Sequence, residues 1–165
     1  MRAERDWWLR LVRQTIGSVD PHVRFTDFDA YFDALFRHYA RGDAWSAAAD
    51  AHDVLATLRA RGQRTGVVSN FDHRLYGIFD ELRLTPLFDV IVLPGDAGAA
   101  KPDPRIFARA IEELHVKAGE AAYVGDDAEH DIAGAEAAGL IAIDVRTLAS
   151  LRDLIERVAP GARSV

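Results

Sequence analysis

The sequence predicts an α/β fold in which parallel strands are covered by helices on both faces. Apolar and β-branched residues are concentrated in four short runs, and helical patterns separate these runs. The runs lie at 65–70, 88–94, 121–126 and 140–145, and the helical patterns at 72–83, 104–115, 129–138 and 148–158. Strands that alternate with helices are typical of a parallel sheet with right-handed crossover connections.

The first third of the chain predicts helices without strands. Residues 5–16 carry an apolar stripe at helical spacing, and residues 26–40 carry a broad aromatic face. The alanine-rich residues 44–62 predict a third helix, with Gly62 just beyond its carboxyl end.

Composition favours an ordinary globular protein and argues against several classes. The chain has 165 residues, of which 49% are hydrophobic and 28% are charged, so it has enough apolar surface for a core. Its net charge of −6 argues against a nucleic-acid partner, because phosphate backbones require a basic surface. No apolar run reaches the roughly 20 residues of a membrane span, so we expect no membrane partner. We expect a helical segment at 1–45 beside an α/β core at 46–165.

The sequence contains no cysteine. Disulfides, thiolate metal sites and a cysteine nucleophile are therefore excluded. This fits a reducing compartment, and we expect the cytoplasm.

Polar residues follow three of the predicted strands. Ser69 and Asn70 end the first run, Lys101 lies in the loop "PGDAGAAKPDP" after the second, and Asp126 and Asp127 end the third. Because ligands bind at the carboxyl ends of strands in open α/β sheets, we expect these residues to converge.

Two of these clusters each have a structural alternative. Ser69 and Asn70 could form a strand-to-helix turn, with Asn70 or Asp72 as the helix N-cap, or they could donate hydrogen bonds to an anionic oxygen. Lysines in loops are usually solvated, but small residues precede Lys101 and allow the backbone to pack tightly. Asp103 and the proline after it predict a clean helix start directly downstream.

The acidic pair carries the strongest functional signal. Carboxylates at the end of a buried strand are costly unless a positive charge meets them, and Mg²⁺ prefers oxygen ligands from one or two carboxylates. Asp127 could instead cap the helix that follows, whereas this alternative fits Asp126 less well. Asp131 is expected to orient Lys101 rather than to bind metal directly. A hydroxyl, a lysine and acidic metal ligands together indicate a phosphoryl-transfer site.

In this order, the segments "VVSN", "KPDPRIF" and "VGDDAEHDIAGAEAAG" resemble the second, third and fourth motifs of the haloacid dehalogenase-like (HAD) hydrolase superfamily. The segment "SNFDHRL" and the aromatic helices before it resemble its branch of HAD-like hydrolase domain-containing proteins. The resemblance implies a Rossmann-like core with a partial helical cap segment, and Mg²⁺-dependent hydrolysis of small phosphate monoesters. It further implies that Ser69 and Asn70 bind the phosphoryl group, Lys101 balances charge, and Asp126 holds Mg²⁺ with support from Asp127 or Asp131.

The first motif of that superfamily, a strand ending in Asp-x-Asp whose first aspartate is the nucleophile, has no match here. Asp27-Phe28-Asp29 is not preceded by a strand, and it fits a helix start with Thr26 as N-cap and Asp29 three residues on. We therefore expect that this chain alone does not turn over substrate, and that the sequence begins downstream of the first motif. A non-catalytic binding or scaffold protein is the alternative function. A receiver-type signalling domain ranks lower, since its acidic pair precedes its lysine.

By the same resemblance, the missing first strand would lie between the strands at 65–70 and 121–126. These two strands could pair directly, leave a gap, or accept a strand from elsewhere, such as a second copy in a homodimer. Each unpaired buried backbone group costs about 1–3 kcal/mol, so we expect that no bare gap remains.

Overall fold

The computed structural model describes residues 2–158 and divides into two compact units. One unit runs to Ser46 and takes in Asp72–Leu82, and the other comprises Ala47–Phe71 and the chain from Arg83 onward. The regular elements, in chain order, are α1 (Arg2–Val19), α2 (Phe28–His38), α3 (Ala51–Ala60), β1 (Gly66–Val68), α4 (Arg74–Glu81), β2 (Val90–Val92), α5 (Pro94–Ala97), α6 (Pro104–Leu114), β3 (Ala122–Gly125), a π-helix (Ala128–Ala133), α7 (Gly134–Ala137), β4 (Ile141–Asp144) and α8 (Leu154–Arg157). In the described part of the chain, no helix is both long and apolar enough to cross a membrane.

A buried ion pair joins the helices of the first unit. The Arg74 guanidinium donates to both carboxylate oxygens of Asp72, which is only 6% exposed. The same guanidinium lies over the Phe36 ring of α2 at 3.7 Å and over the Trp8 ring of α1 at 5.7 Å. The pair therefore holds α4 against two aromatic helix faces.

The predicted start of α2 is wrong by one residue. Asp27, rather than Thr26, is the N-cap, because its carboxylate accepts a hydrogen bond from the Ala30 backbone N–H at 2.9 Å. Asp29 lies in the first turn and pairs with Arg13 at 3.1 Å. Asp27 therefore caps the helix and Asp29 pairs with α1, so the capping box predicted with Thr26 and Asp29 is not the one that forms.

The predicted helix at 44–62 is shorter in the structure, where α3 begins at Ala51. The Asp50 carboxylate just before it accepts a hydrogen bond from the Ser150 hydroxyl at 2.6 Å. The helix thus begins directly after a residue that is held by a contact between distant parts of the chain, and the alanines before it are not helical. Gly62 has φ +79° directly after the helix, as predicted for a residue at that position.

The second unit contains two separate parallel strand pairs that share one core. β1 pairs with β2, and β3 pairs with β4. Buried side chains from β2, α6 and α7 form the core between them, namely Val90, Val92, Ile106, Phe107, Ala110 and Ala135. The parallel α/β architecture predicted from the sequence is confirmed.

Among the described residues, no strand joins β1 to β3. Direct pairing of these two strands is thus not seen in the described chain, and completion by a strand from elsewhere stays a prediction. One side-chain contact spans the space between these two strands, because the Tyr123 hydroxyl of β3 lies 3.2 Å from the Val68 carbonyl oxygen of β1. The first residues of the two unpaired edges, Gly66 and Ala122, are exposed, so water can solvate part of the backbone there.

Candidate active site

The candidate site lies at the carboxyl ends of β1 and β3. Ser69 directly follows β1 and Asp126 directly follows β3, while Lys101 lies in the loop between α5 and α6. The structure joins Asn70 to the backbone of Lys101, and the side chain of Lys101 to Asp131.

Asn70 positions the lysine loop through two hydrogen bonds. Its Nδ2 donates to the Lys101 carbonyl oxygen at 3.0 Å, and its Oδ1 accepts from the Lys101 backbone N–H at 2.7 Å. Because an amide nitrogen carries two hydrogens, one N–H of Asn70 is left over from this bridge. Neither the turn nor the N-cap prediction anticipated this contact.

Ser69 continues the β1–β2 ladder and then turns the chain. Its backbone N–H donates to the Val92 carbonyl oxygen at 3.2 Å, and its hydroxyl oxygen accepts from the Phe71 backbone N–H at 3.1 Å. The hydroxyl acts as an acceptor in this turn, so its own hydrogen can still be donated to a ligand.

Lys101 and Asp131 form a buried ion pair, with side chains 12% and 8% exposed. The Lys101 ammonium donates to Asp131 Oδ1 and, at 2.8 Å, to the Tyr123 hydroxyl. The Tyr123 hydroxyl in turn donates to Asp131 Oδ1 at 2.9 Å. A buried charge pair of this kind is stable only because the remaining polar atoms also have partners.

Asp131 uses its whole hydrogen-bonding capacity within the protein. Its Oδ1 accepts from Lys101 and Tyr123, and its Oδ2 accepts from the backbone N–H groups of Asp126 and Asp127 at 3.1 Å each. Since an ionised carboxylate has about four acceptor positions, none is left for a metal ion. Burial alone would raise the pKa of Asp131, but the hydrogen bonds from Lys101, the backbone and Tyr123 outweigh it and lower the pKa below 3.8.

A close backbone approach makes room for this carboxylate. Asp131 is carried by the π-helix, and a Cβ added to Gly125 would lie 2.5 Å from its carboxylate atoms. Glycine at the end of β3 is therefore required by the space that Asp131 fills.

Asp127 caps the helix that follows it. Its Oδ1 accepts from the backbone N–H groups of Glu129 at 3.0 Å and His130 at 2.7 Å. These bonds, the one from the His130 backbone foremost, lower the pKa of Asp127. The capping alternative considered for Asp127 is therefore present in the structure, and Oδ2 is the oxygen it has left for a ligand.

Asp126 presents the most open carboxylate of the group. The residue is exposed, and its side chain accepts no hydrogen bond from the residues that the structure describes. Within that same part of the chain, no three histidine, cysteine or acidic side chains cluster around a possible metal position. A metal here would thus take one or two carboxylate oxygens from the protein, and this donor set fits Mg²⁺ with water and ligand oxygens completing its shell.

Tyr123 was not singled out from the sequence, yet it contacts more of the site than any of the predicted residues except Asp131 and Lys101. Burial, together with the negative charge of Asp131, raises the pKa of its phenol, so the hydroxyl stays protonated. The available signal was a tyrosine among the small and apolar residues of "AAYVGD", since a buried phenol usually needs a hydrogen-bond partner.

The fold and the site define a class of protein, namely a parallel α/β protein in which acidic residues at the carboxyl end of a strand meet a lysine from a neighbouring loop. A model of the haloacid dehalogenase-like hydrolases matches residues 1–139, and the chain belongs to this family. The superfamily predicted from the sequence is thereby confirmed.

Known relatives and a solved structure agree with this assignment. Haloacid dehalogenase-like hydrolase domain-containing protein 3 of Danio rerio is 38% identical over 73% of this chain and 49% of its own length. Glyceraldehyde 3-phosphate phosphatase of Methanopyrus kandleri is 30% identical over 82% of this chain and 56% of its own length. A HAD phosphatase from Thermococcus onnurineus superposes with a TM-score of 0.70 at 27% identity, covering 80% of this chain and 69% of that one. The chain thus spans about half the length of the curated relatives it matches.

Proposed function

We propose that this chain provides the phosphate-binding and metal-binding part of a Mg²⁺-dependent phosphatase acting on small phosphate monoesters. One observation carries the proposal: Asp131 holds the buried Lys101 ammonium with one carboxylate oxygen and accepts the backbone N–H of Asp126, at the carboxyl end of β3, with the other. The name of the Methanopyrus kandleri relative, a phosphatase of a small sugar phosphate, gives further support.

Each predicted residue has a proposed role toward a phosphoryl group. The Ser69 hydroxyl, the remaining N–H of Asn70 and the Lys101 ammonium would donate hydrogen bonds to its oxygens. Asp126, with Oδ2 of Asp127, would hold Mg²⁺, which when bound neutralises charge on phosphoryl oxygens. Asp131 would orient Lys101 rather than bind the metal.

We further propose that the chain by itself binds phosphate without hydrolysing esters. The superfamily's mechanism needs a nucleophilic aspartate, and the Asp-x-Asp of this sequence is used otherwise. Asp27 caps α2, and Asp29 pairs with Arg13. A reducing compartment such as the cytoplasm is proposed on the absence of cysteine.

The proposal is tested by calorimetric titration of inorganic phosphate with and without Mg²⁺. Wild type should bind phosphate only with Mg²⁺, and Asp126→Asn should weaken that binding at least about tenfold, a loss of roughly 1.4 kcal/mol. Glu136→Gln, an exposed acid on α7, serves as the matched control and should bind like wild type. Binding that ignores Mg²⁺ would contradict the proposed metal site.

The same preparations are assayed with p-nitrophenyl phosphate and Mg²⁺, and no turnover is expected. Activity that Asp126→Ala abolishes would refute the claim of a missing nucleophile. A non-catalytic binding or scaffold protein remains the alternative function, in which the strand edges of β1 and β3 that are unpaired in the described chain serve to bind a partner strand. Such a protein would keep the fold and would need a partner strand or a dimer to complete the sheet, so light scattering together with the Mg²⁺ titration separates it from the main proposal.

A further inference from the structure

Tyr123 is linked to three different parts of the site through one atom. Its hydroxyl oxygen lies 2.8 Å from the Lys101 ammonium, 2.9 Å from Asp131 Oδ1 and 3.2 Å from the Val68 carbonyl oxygen. These partners belong to the loop before α6, the π-helix and β1, respectively.

Packing alone does not account for this hydroxyl. The Tyr123 ring meets the Phe107 ring edge-on, with centroids 5.1 Å apart and planes at 79°. A phenylalanine would keep that contact equally well, because the ring and not the hydroxyl makes it. A tyrosine rather than a phenylalanine at this position is therefore explained by the polar contacts of the hydroxyl.

We propose that Tyr123 is a positioning residue that fixes the Lys101 ammonium toward the bound phosphate. An ammonium group has three N–H donors. Tyr123 and Asp131 accept two of them, so the third is left for the ligand and its direction is set by the other two. The inference rests on the phosphate site described under the proposed function and adds a residue that acts through Lys101.

The hydroxyl has a second positioning effect, since no backbone hydrogen bond joins β1 to β3 in the described structure. The Val68 carbonyl oxygen, at 3.2 Å, shares the single hydroxyl hydrogen with the nearer Asp131 Oδ1, and this shared bond joins the carboxyl end of β1 to β3 just before Ser69. Loss of the hydroxyl should therefore loosen the ammonium and also the turn that carries Ser69 and Asn70.

The test compares Tyr123→Phe with Tyr31→Phe, which removes an exposed hydroxyl from α2. Two quantities are measured: the affinity for inorganic phosphate with Mg²⁺, and the exchange rate of the Lys101 ammonium protons by NMR of ¹⁵N-labelled lysine. Tyr123→Phe should weaken phosphate binding about fivefold, in line with loss of one hydrogen bond of about 1 kcal/mol, and should accelerate ammonium exchange. Tyr31→Phe should change neither quantity.

The outcomes separate this inference from the proposed function. If wild type binds no phosphate, the proposed function fails, and the ammonium exchange alone then decides on Tyr123. Unchanged exchange in Tyr123→Phe overturns the positioning role whatever happens to affinity, and wild-type affinity overturns it as well. If Tyr123→Phe does not fold, 3-fluorotyrosine at this position, which keeps the hydroxyl but weakens it as an acceptor, must accelerate the exchange.

Discussion

At the scale of single residues, the site depends on the contacts of one carboxylate. Asp131 is buried, and it accepts hydrogen bonds from Lys101, Tyr123 and two backbone N–H groups. Removing its charge leaves the Lys101 ammonium without its counter-ion in a place that is only 12% exposed. Burying an unpaired charge is among the most destabilising changes a protein can undergo.

We expect Asp131→Asn to lower the free energy of unfolding at pH 7 by about 2 kcal/mol. The pKa of Asp131 is lowered on folding, so its ionised form stabilises the folded state above the ordinary value of 3.8. This contribution is lost as the pH falls through the lowered pKa. The difference between wild type and Asp131→Asn should therefore shrink progressively below pH 3.8.

Urea unfolding at pH 7 and at several lower pH values, with chelator present, measures this difference. Asp126→Asn is the matched control, because its side chain accepts no hydrogen bond in the described structure and should affect stability little at any pH. A constant difference down to the acid limit would show that the Asp131 charge does not contribute to folding.

The space beside Asp131 gives a second prediction at this scale. Gly125→Ala places a Cβ 2.5 Å from the carboxylate and should destabilise the protein by about 2 kcal/mol through overpacking. Gly77→Ala in α4 has nothing within 4 Å and should raise stability by about 0.5–1 kcal/mol. Thermal unfolding of both variants checks the contrast, and equal effects would mean that Gly125 tolerates a side chain.

At the scale of secondary-structure elements, the π-helix gives the neighbouring acidic residues different roles. Asp127 Oδ1 caps its first turn, whereas Asp131 lies within it and turns back to the backbone of Asp126 and Asp127. The wider turn of a π-helix frequently marks functional sites. One short element thus separates a capping acid from a lysine-orienting acid, and Asp126 remains as the open carboxylate.

Two substitutions at Asp127 distinguish capping from metal binding. Asp127→Asn keeps a capping oxygen and should retain the melting temperature, whereas Asp127→Ala should lower it by roughly 2–4 °C. Both should weaken Mg²⁺ binding if Oδ2 is a ligand. Differential scanning calorimetry with and without Mg²⁺ measures both effects, and Mg²⁺ stabilisation equal to that of wild type in both variants would exclude Asp127 as a ligand.

At the scale of the whole molecule, the two strand pairs leave edges on β1 and β3 that no strand of residues 2–158 covers. Unpaired edges present rows of N–H and C=O groups that readily pair with another chain. Among the described residues, the side-chain bridge from Tyr123 to Val68 replaces only part of that pairing. We therefore propose that a second copy completes the sheet in trans.

Sedimentation velocity over a range of concentrations should show this association as a rising weight-average mass. Ala122→Lys adds a charge to the exposed start of β3 and should suppress it, as charged residues do at natural sheet edges. Lysine at Gly119, in the exposed turn before β3, is the control and should associate like wild type. A monomer at every concentration would rule out completion in trans.

The amino-acid sequence by itself determined the order of strands and helices, the family, and the polar residues at the strand ends. These features are local, because hydrophobic periodicity and short motifs depend only on residues that are close together in the chain. The observed start of α3 and the N-cap of α2 differ from the predicted ones. The residue before α3 is held by Ser150, from a distant part of the chain, and Asp27 caps α2 in place of the neighbouring Thr26.

Only the tertiary structure decided how the site residues contact one another. The Asn70 bridge, the full occupancy of Asp131 and the triple contact of Tyr123 join residues far apart in the chain. The division into two strand pairs was also decided there, because strand pairing depends on which edges meet in space. Spacing in a sequence shows which groups are available, whereas hydrogen bonding and burial determine which of them are still free to bind a ligand.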